Sequence, residues 1–190
     1  MRKKIGEILL QIIPVMIGVY LGFVLSNWSE TNKRKFQTEL LRKNIVAEIK
    51  SNKSKISDVL DYHIMVRDSS RFIQNTDDIE MKTIPPFFKG TRTVTLVNGA
   101  FDTGIQTGLI NSLKFEEIQD INNIYTMQSA YKDFNQLILS NLMMKIDVKE
   151  NDNGDRKFYG FLAVTMTDIV LQEKRLIQNY EKLLEEIDTE

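Results

Sequence analysis

The residues that could do chemistry are few. His63 is the only histidine, and there is no cysteine. A lone imidazole with no HExxH partner reads as a structural or solvent-facing residue on a helix before it reads as a general base. The missing thiols exclude disulfides, thiolate zinc sites and cysteine catalysis. Gly99, Gly104 and Gly108 resemble a glycine-rich loop, but neither a GK[ST] ending nor GxGxxG spacing is present to cradle phosphate, so nucleotide binding is not expected. Asn151-Asp152-Asn153-Gly154-Asp155 looks like half of a calcium loop. In the EF-hand register, however, Lys149 would take the first ligand position and Gly160 the twelfth, so a solvated turn is the better reading. Glu185, Glu186, Asp188 and Glu190 form an acidic, solvated end. No nucleophile, base and orienting group can be assembled. The expectation is therefore no catalytic residue, no cofactor and no metal ion.

The segment that departs most from plain helix is Val97 to Ser112, VNGAFDTGIQTGLINS. Polar and permissive residues between regular helices are where a binding site would sit. Asn98, Asp102, Thr103, Gln106 and Thr107 are the candidates for a ligand or partner corner there. The bland alternative is a helix–helix corner with no ligand.

These residues must be positioned by long helices, since only 3 Pro and 9 Gly occur in 190 residues. Residues 8–28, ILLQIIPVMIGVYLGFVLSNW, carry no charge. At about 1.5 Å per residue, the run reaches across the roughly 30 Å core of a bilayer. It exceeds the apolar core of a signal peptide, and no small-x-small site closes it. The expected organisation is a basic tail at 1–7, a transmembrane helix at 8–28 and a helical bundle at 29–190. Pro14 should kink the span. Gly18, Gly22 and Ser26 recur every four residues and offer a small-residue face to a second helix. Trp28 suits the headgroup interface. The membrane helix is expected to run on as a stalk over 30–75.

The apolar stripe of that stalk is Phe36, Leu40, Leu41, Ile45, Ile49, Ile56, Val59, Leu60, Ile64, Phe72 and Ile73, mostly spaced by 3, 4 or 7. Asn52 falls where the stripe wants an apolar side chain, as a buried register-setting group or a bend. Residues 76–98 should be irregular, because Pro85-Pro86 excludes helix, with an extended segment over Thr91–Val97. A short helix, Ala100–Gln106, should close at Gly108. Ser112 is a candidate N-cap for a helix over 113–147. A last helix over 156–187 carries Leu162, Met166, Ile169, Leu176, Tyr180, Leu183 and Ile187, with Glu173 filling the one gap in the seam. The fold class expected is all-α: a transmembrane helix continuing into an antiparallel bundle, with one irregular connection able to hold a short strand.

The N-terminus, Ile5-Gly6-Glu7-Ile8-Leu9-Leu10 through Leu25-Ser26-Asn27-Trp28-Ser29-Glu30, resembles an uncharacterised Bacteroidota family of single-pass membrane proteins. Its members begin approximately GEIxLVVxGILIAxxINNWNE, followed by a basic segment that Lys33, Arg34 and Lys35 match. Phe101-Asp102-Thr103-Gly104 to Leu109-Ile110, followed by an aromatic like Tyr125, is similar to that family's mid-chain corner. Pro14, and Ser26 in place of Asn, depart from its pattern. The resemblance implies an inner-membrane protein with an extended helical domain and brings no activity with it. It also implies an N-inside orientation, hence a periplasmic domain, whereas basic residues on both flanks of the span leave cytoplasmic and periplasmic placement open.

A net charge of −1 gives no pull toward nucleic acid. The expected partners are membrane lipid and either further copies of the chain or another membrane protein. The expected function is a non-enzymatic, membrane-anchored helical protein acting by self-assembly or as a subunit of a membrane complex. The alternatives are a ligand-sensing bundle coupled to the membrane helix and a carboxylate- or tyrosine-dependent enzyme. A polar pocket at Val97–Ser112 would favour sensing, and a flat apolar patch would favour assembly.

Overall fold

The computed structural model describes residues 2–76, 84–146 and 152–188, with side chains described within 12–76, 84–143 and 155–187. It is all-α, and no strand occurs among the described residues. Helix α1, Arg2–Gln74, is unbroken through Pro14 and continues without interruption from the apolar run into the stalk. Helix α2 is Gly99–Thr107, followed by a 3₁₀ turn at Leu109–Ser112. Helices α3 and α4 are Phe115–Ile146 and Asp152–Asp188. Helix α1 contains a stretch long and apolar enough to cross a membrane, and the bundle buries none of that stretch.

Side-chain pairs give the directions. Arg42 meets Glu117 at 2.8 Å and Asn52 meets Gln128, so α3 runs parallel to α1. Lys53 meets Glu181 at 2.8 Å and Arg71 meets Thr167, so α4 runs antiparallel to both. The backbones of α1 and α4 pack closely, as do those of α3 and α4, but no Cα of α1 comes within 8 Å of a Cα of α3. Their side chains still meet directly, as at Arg42–Glu117 and Asn52–Gln128, and the fourth element of the bundle lies against α1 beside these contacts. This is not a long helix but the segment 84–98 (the strap) followed by α2.

The core is the expected seam with corrections. Leu41, Ile45, Ile49, Ile56 and Val66 of α1 meet Leu162, Met166, Ile169, Leu176, Tyr180 and Leu183 of α4, and Ile121, Ile124, Ile138 and Leu142 of α3. Phe36, Leu40 and Phe72 have the spacing of the buried stripe but are exposed. For Phe36 and Leu40 the reason is position: the first residue of α1 that the bundle covers fully is Leu41, where α2 arrives. His63, not Ile64, takes the fully buried position at that turn. Asn52 is buried within an unbroken helix, which decides between the two readings of it.

Gly104 shows why α2 can lie so close to α1. A Cβ there would sit 3.0 Å from a Leu41 methyl. Gly108 adopts φ 68° and closes α2 as a left-handed cap, as its position predicts. Ser112 ends the 3₁₀ turn rather than capping α3, which starts at Phe115, and its hydroxyl accepts from Arg34 at 3.0 Å. The expected polar loop after α3 lies partly outside the described residues, and α4 starts earlier than expected, at Asp152.

Candidate functional site

The strap explains the polar residues on the buried face of α1. A backbone segment with no neighbouring strand must find its hydrogen-bond partners elsewhere. Here the stalk supplies them. Asn52 takes both groups of Val97, its Oδ1 accepting from the N–H at 2.8 Å and its Nδ2 donating to the carbonyl at 2.7 Å. Lys55 donates to the Thr95 carbonyl at 3.1 Å. The Tyr62 hydroxyl donates to the Gly90 carbonyl at 2.7 Å and accepts from the Lys89 N–H at 2.8 Å. His63 Nε2 lies 2.7 Å from the Thr91 carbonyl, which can only accept, so this nitrogen carries a proton. From Thr91, beside His63, to Thr95, beside Lys55, the strap advances about 12 Å along α1 in four residues, roughly the 3 Å per residue of an extended chain.

Two carboxylates complete the interior. Glu48 accepts from the Ala100 N–H at 2.9 Å, in the first turn of α2, where a negative charge suits the helix dipole. The N-cap residue Asn98 makes no capping bond of its own, so Glu48 does that work from α1. The other Glu48 oxygen accepts from the Tyr125 hydroxyl. Deeper in, Glu173 Oε1 accepts from Tyr131 at 2.7 Å and lies 2.8 Å from His63 Nδ1. His63 and Glu173 are both fully buried. The sole histidine thus ties α1, α4 and the strap together, and the residue filling the gap in the α4 seam is its partner.

The tyrosines in this network are held protonated. Burial, and then the Glu48 carboxylate, push the Tyr125 phenol well above its ordinary range. Burial, and then Glu173, do the same to Tyr131. Burial also raises Tyr180. The Tyr125 and Tyr131 hydroxyls donate to Glu48 and Glu173, the Tyr180 hydroxyl is buried without a hydrogen bond, and a phenolate base is not available near neutral pH.

On the outer side of the strap, facing α3, lies a half-open cleft of about 800 Å³. Its walls are Thr93–Leu96, Asn98, Phe101 and Asp102 on one side, and on the other a face of α3 running from Asn122 to Leu139. Phe101 stacks flat on Tyr125, with ring centroids 4.2 Å apart, at its lower end. Two side chains on the α3 wall are nearly inaccessible yet leave polar atoms unpaired. Gln128 is 5% exposed and Asn135 is 6% exposed, and neither Gln128 Nε2 nor either polar atom of the Asn135 amide has a hydrogen-bond partner. Gln128 lies near Tyr180 and Asn135 near Tyr131, close enough to ease the phenols' ionisation but outside hydrogen-bond geometry. Leaving such groups unmade costs about 1–3 kcal/mol each.

Of the corner predicted from sequence, Asn98 and Asp102 line this cleft. Thr103, Gln106 and Thr107 do not; all three are exposed, and the two threonine hydroxyls donate back to Gly99 and Thr103 carbonyls within α2. Gly18, Gly22, Ser26 and Trp28 lie on the exposed part of α1, and a Cβ at either glycine would meet nothing within 4 Å. Sequence reasoning did not single out Glu48, Gln128 or Asn135. The available signal was a polar side chain at a core position of an apolar stripe, as for Asn52 and Glu173. Among the described residues, no group of three His, Asp or Glu side chains could hold a metal ion. Comparison with protein-family models, curated proteins and solved structures finds no match to this chain.

Proposed function

We propose that the chain is a non-enzymatic, membrane-anchored helical bundle that binds a polar, hydrogen-bonding ligand in the cleft between the strap and α3. The observation that carries this reading is the set of buried, unpartnered polar atoms on the wall of that cleft: Gln128 Nε2 and both polar atoms of the Asn135 amide. Occupancy would be felt by the membrane segment through the strap. Thr93–Leu96 form the ligand's wall, and the same strap is pinned to α1 by Asn52, Lys55, Tyr62 and His63. Helix α1 is continuous from that point to its N-terminus, so a strap position favoured by ligand is also an α1 environment favoured by ligand.

The test is thermal unfolding of the full chain in nanodiscs against amino acids, sugars and short peptides. A ligand at a hundred times its Kd adds about 2.7 kcal/mol of stability. At least one compound class should raise the midpoint of the wild type and not of Gln128→Leu/Asn135→Leu. No shift from any class would refute the reading.

A second reading concerns the membrane segment alone. The open face of Gly18, Gly22 and Ser26 supports self-association of the anchor, as a homo-oligomer or with another membrane protein. Membrane lipid is the surrounding partner, nucleic acid is not one, and the N-terminal resemblance supports a bacterial inner-membrane location with the bundle in the periplasm.

A further inference from the structure

We propose that the occupant of the cleft is an extended polypeptide segment of a partner protein, lying as an added strand along the edge of the strap that faces α3. This rests on reading the cleft as a binding site, and three observations point to the peptide.

The first is parity. In an extended chain the N–H and C=O of one residue point to the same side, and those of its neighbour to the other. The Thr95 carbonyl and both backbone groups of Val97 bond to α1. The backbone groups of Val94 and Leu96 therefore face away from α1, and among the described residues they have no protein partner. That is the unpaired edge of a strand, the feature that strand addition uses.

The second is size. A helix occupies about 10 Å of width, and neighbouring strands sit about 4.8 Å apart. The bundle's fourth position holds an extended strap where a long helix would otherwise lie, and the width left over is close to that of one more strand. The α3 wall from Asn122 to Leu139 is about 25 Å long, enough for roughly seven extended residues.

The third is chemistry. Gln128 and Asn135 hold unpaired donors and an acceptor buried within the opposite wall, which a peptide backbone lodged against it would match with alternating carbonyls and amides. Asp102 and Lys132, one acid and one base, are the charged residues lining the cleft, and neither is in an ion pair among the described residues. The cleft therefore suits a segment of low net charge.

The experiment selects a phage-displayed library of random heptapeptides on the full-length protein in detergent. A selected peptide is synthesised with a fluorophore and scanned by backbone N-methylation, with binding read by polarisation. Strand addition predicts losses of tenfold or more at two residues spaced by two, those whose N–H would meet the Val94 and Leu96 carbonyls, with small effects at the position between. Gln128→Leu and Asn135→Leu should each weaken the parent peptide about five- to tenfold, since each removes a hydrogen bond worth about 1 kcal/mol or more. N-methyl sensitivity without a period of two, losses spaced by three and four as for a bound helix, or binding indifferent to both substitutions would overturn the proposal. If no peptide is selected but a sugar or amino acid stabilises the wild type and not the double variant, strand addition falls while the ligand-binding reading stands. If nothing binds, both fall.

Discussion

Two asparagines in this bundle should respond to the same substitution with opposite signs. Asn52 and Asn135 are both buried on core-facing stripes. Asn52 makes bonds to the N–H and C=O of Val97 and a longer contact, 3.4 Å, to Gln128. Asn52→Leu removes all of these. Val97 is itself exposed, so water recovers part of the loss for its backbone, and the net cost should be about 2 kcal/mol from two bonds at about 1 kcal/mol each. Asn135 has no partner to lose. Asn135→Leu exchanges an unsatisfied amide for a side chain of similar volume, which removes a burial penalty of about 1–3 kcal/mol and returns a smaller part of it as overpacking. A gain of about 1 kcal/mol is expected. The difference between the two variants is then about 3 kcal/mol, or roughly 6–12 °C in midpoint for a chain of this size. The assay is loss of helical circular dichroism on heating the full chain in one detergent, without ligand. If both variants are destabilised equally, Asn135 is satisfied in the apo protein and the case for an open binding wall collapses.

Three further outcomes follow from the same geometry. Tyr125, Tyr131 and Tyr180 have folded-state pKa values raised above the ordinary 10, so the unfolded chain releases their protons first as pH rises. Their contribution to stability is complete below about pH 10 and falls above it; difference absorbance of the folded protein should show these three of the 6 tyrosines silent until alkaline unfolding, and gradual ionisation of all six before unfolding would contradict their burial. The full chain should stay in the membrane pellet after a carbonate wash, and deletion of residues 1–28 should release a helical bundle to the supernatant; a washed-off full chain would end the anchor reading. Gly18→Ile/Gly22→Ile should reduce crosslinking of the chain to itself in native membranes while leaving the bundle's helicity intact, and equal crosslinking would mean that the small-residue face brings no helices together.

The helices were legible because their signals are local. Apolar spacing of 3 and 4 marked α4 almost residue by residue, Pro85-Pro86 excluded helix from the start of the strap, and Gly108 marked the end of α2, each through local features that a short window of sequence contains. The absence of charge over 8–28 set the membrane-length run in the same way. What the window could not contain was which helix faces stay uncovered. Phe36 and Phe72 have the spacing of core residues but lie exposed, because burial depends on a neighbour that spacing does not name. The site was hidden for the same reason. Its parts lie on α1, the strap, α2, α3 and α4, and Glu48 with Tyr125 or His63 with Glu173 are 77 and 110 residues apart. Read singly, Asn52, His63 and Glu173 were irregularities in apolar stripes. Only the packed bundle shows that the first two hold an extended strap to α1 while Glu173 anchors His63, and that the thinness of that strap opens the cleft. Residue types fixed the periodicity, because periodicity is a property of one helix. The site was decided by a width, the difference between an extended chain and a helix at the fourth position of a bundle, and a width exists only between elements.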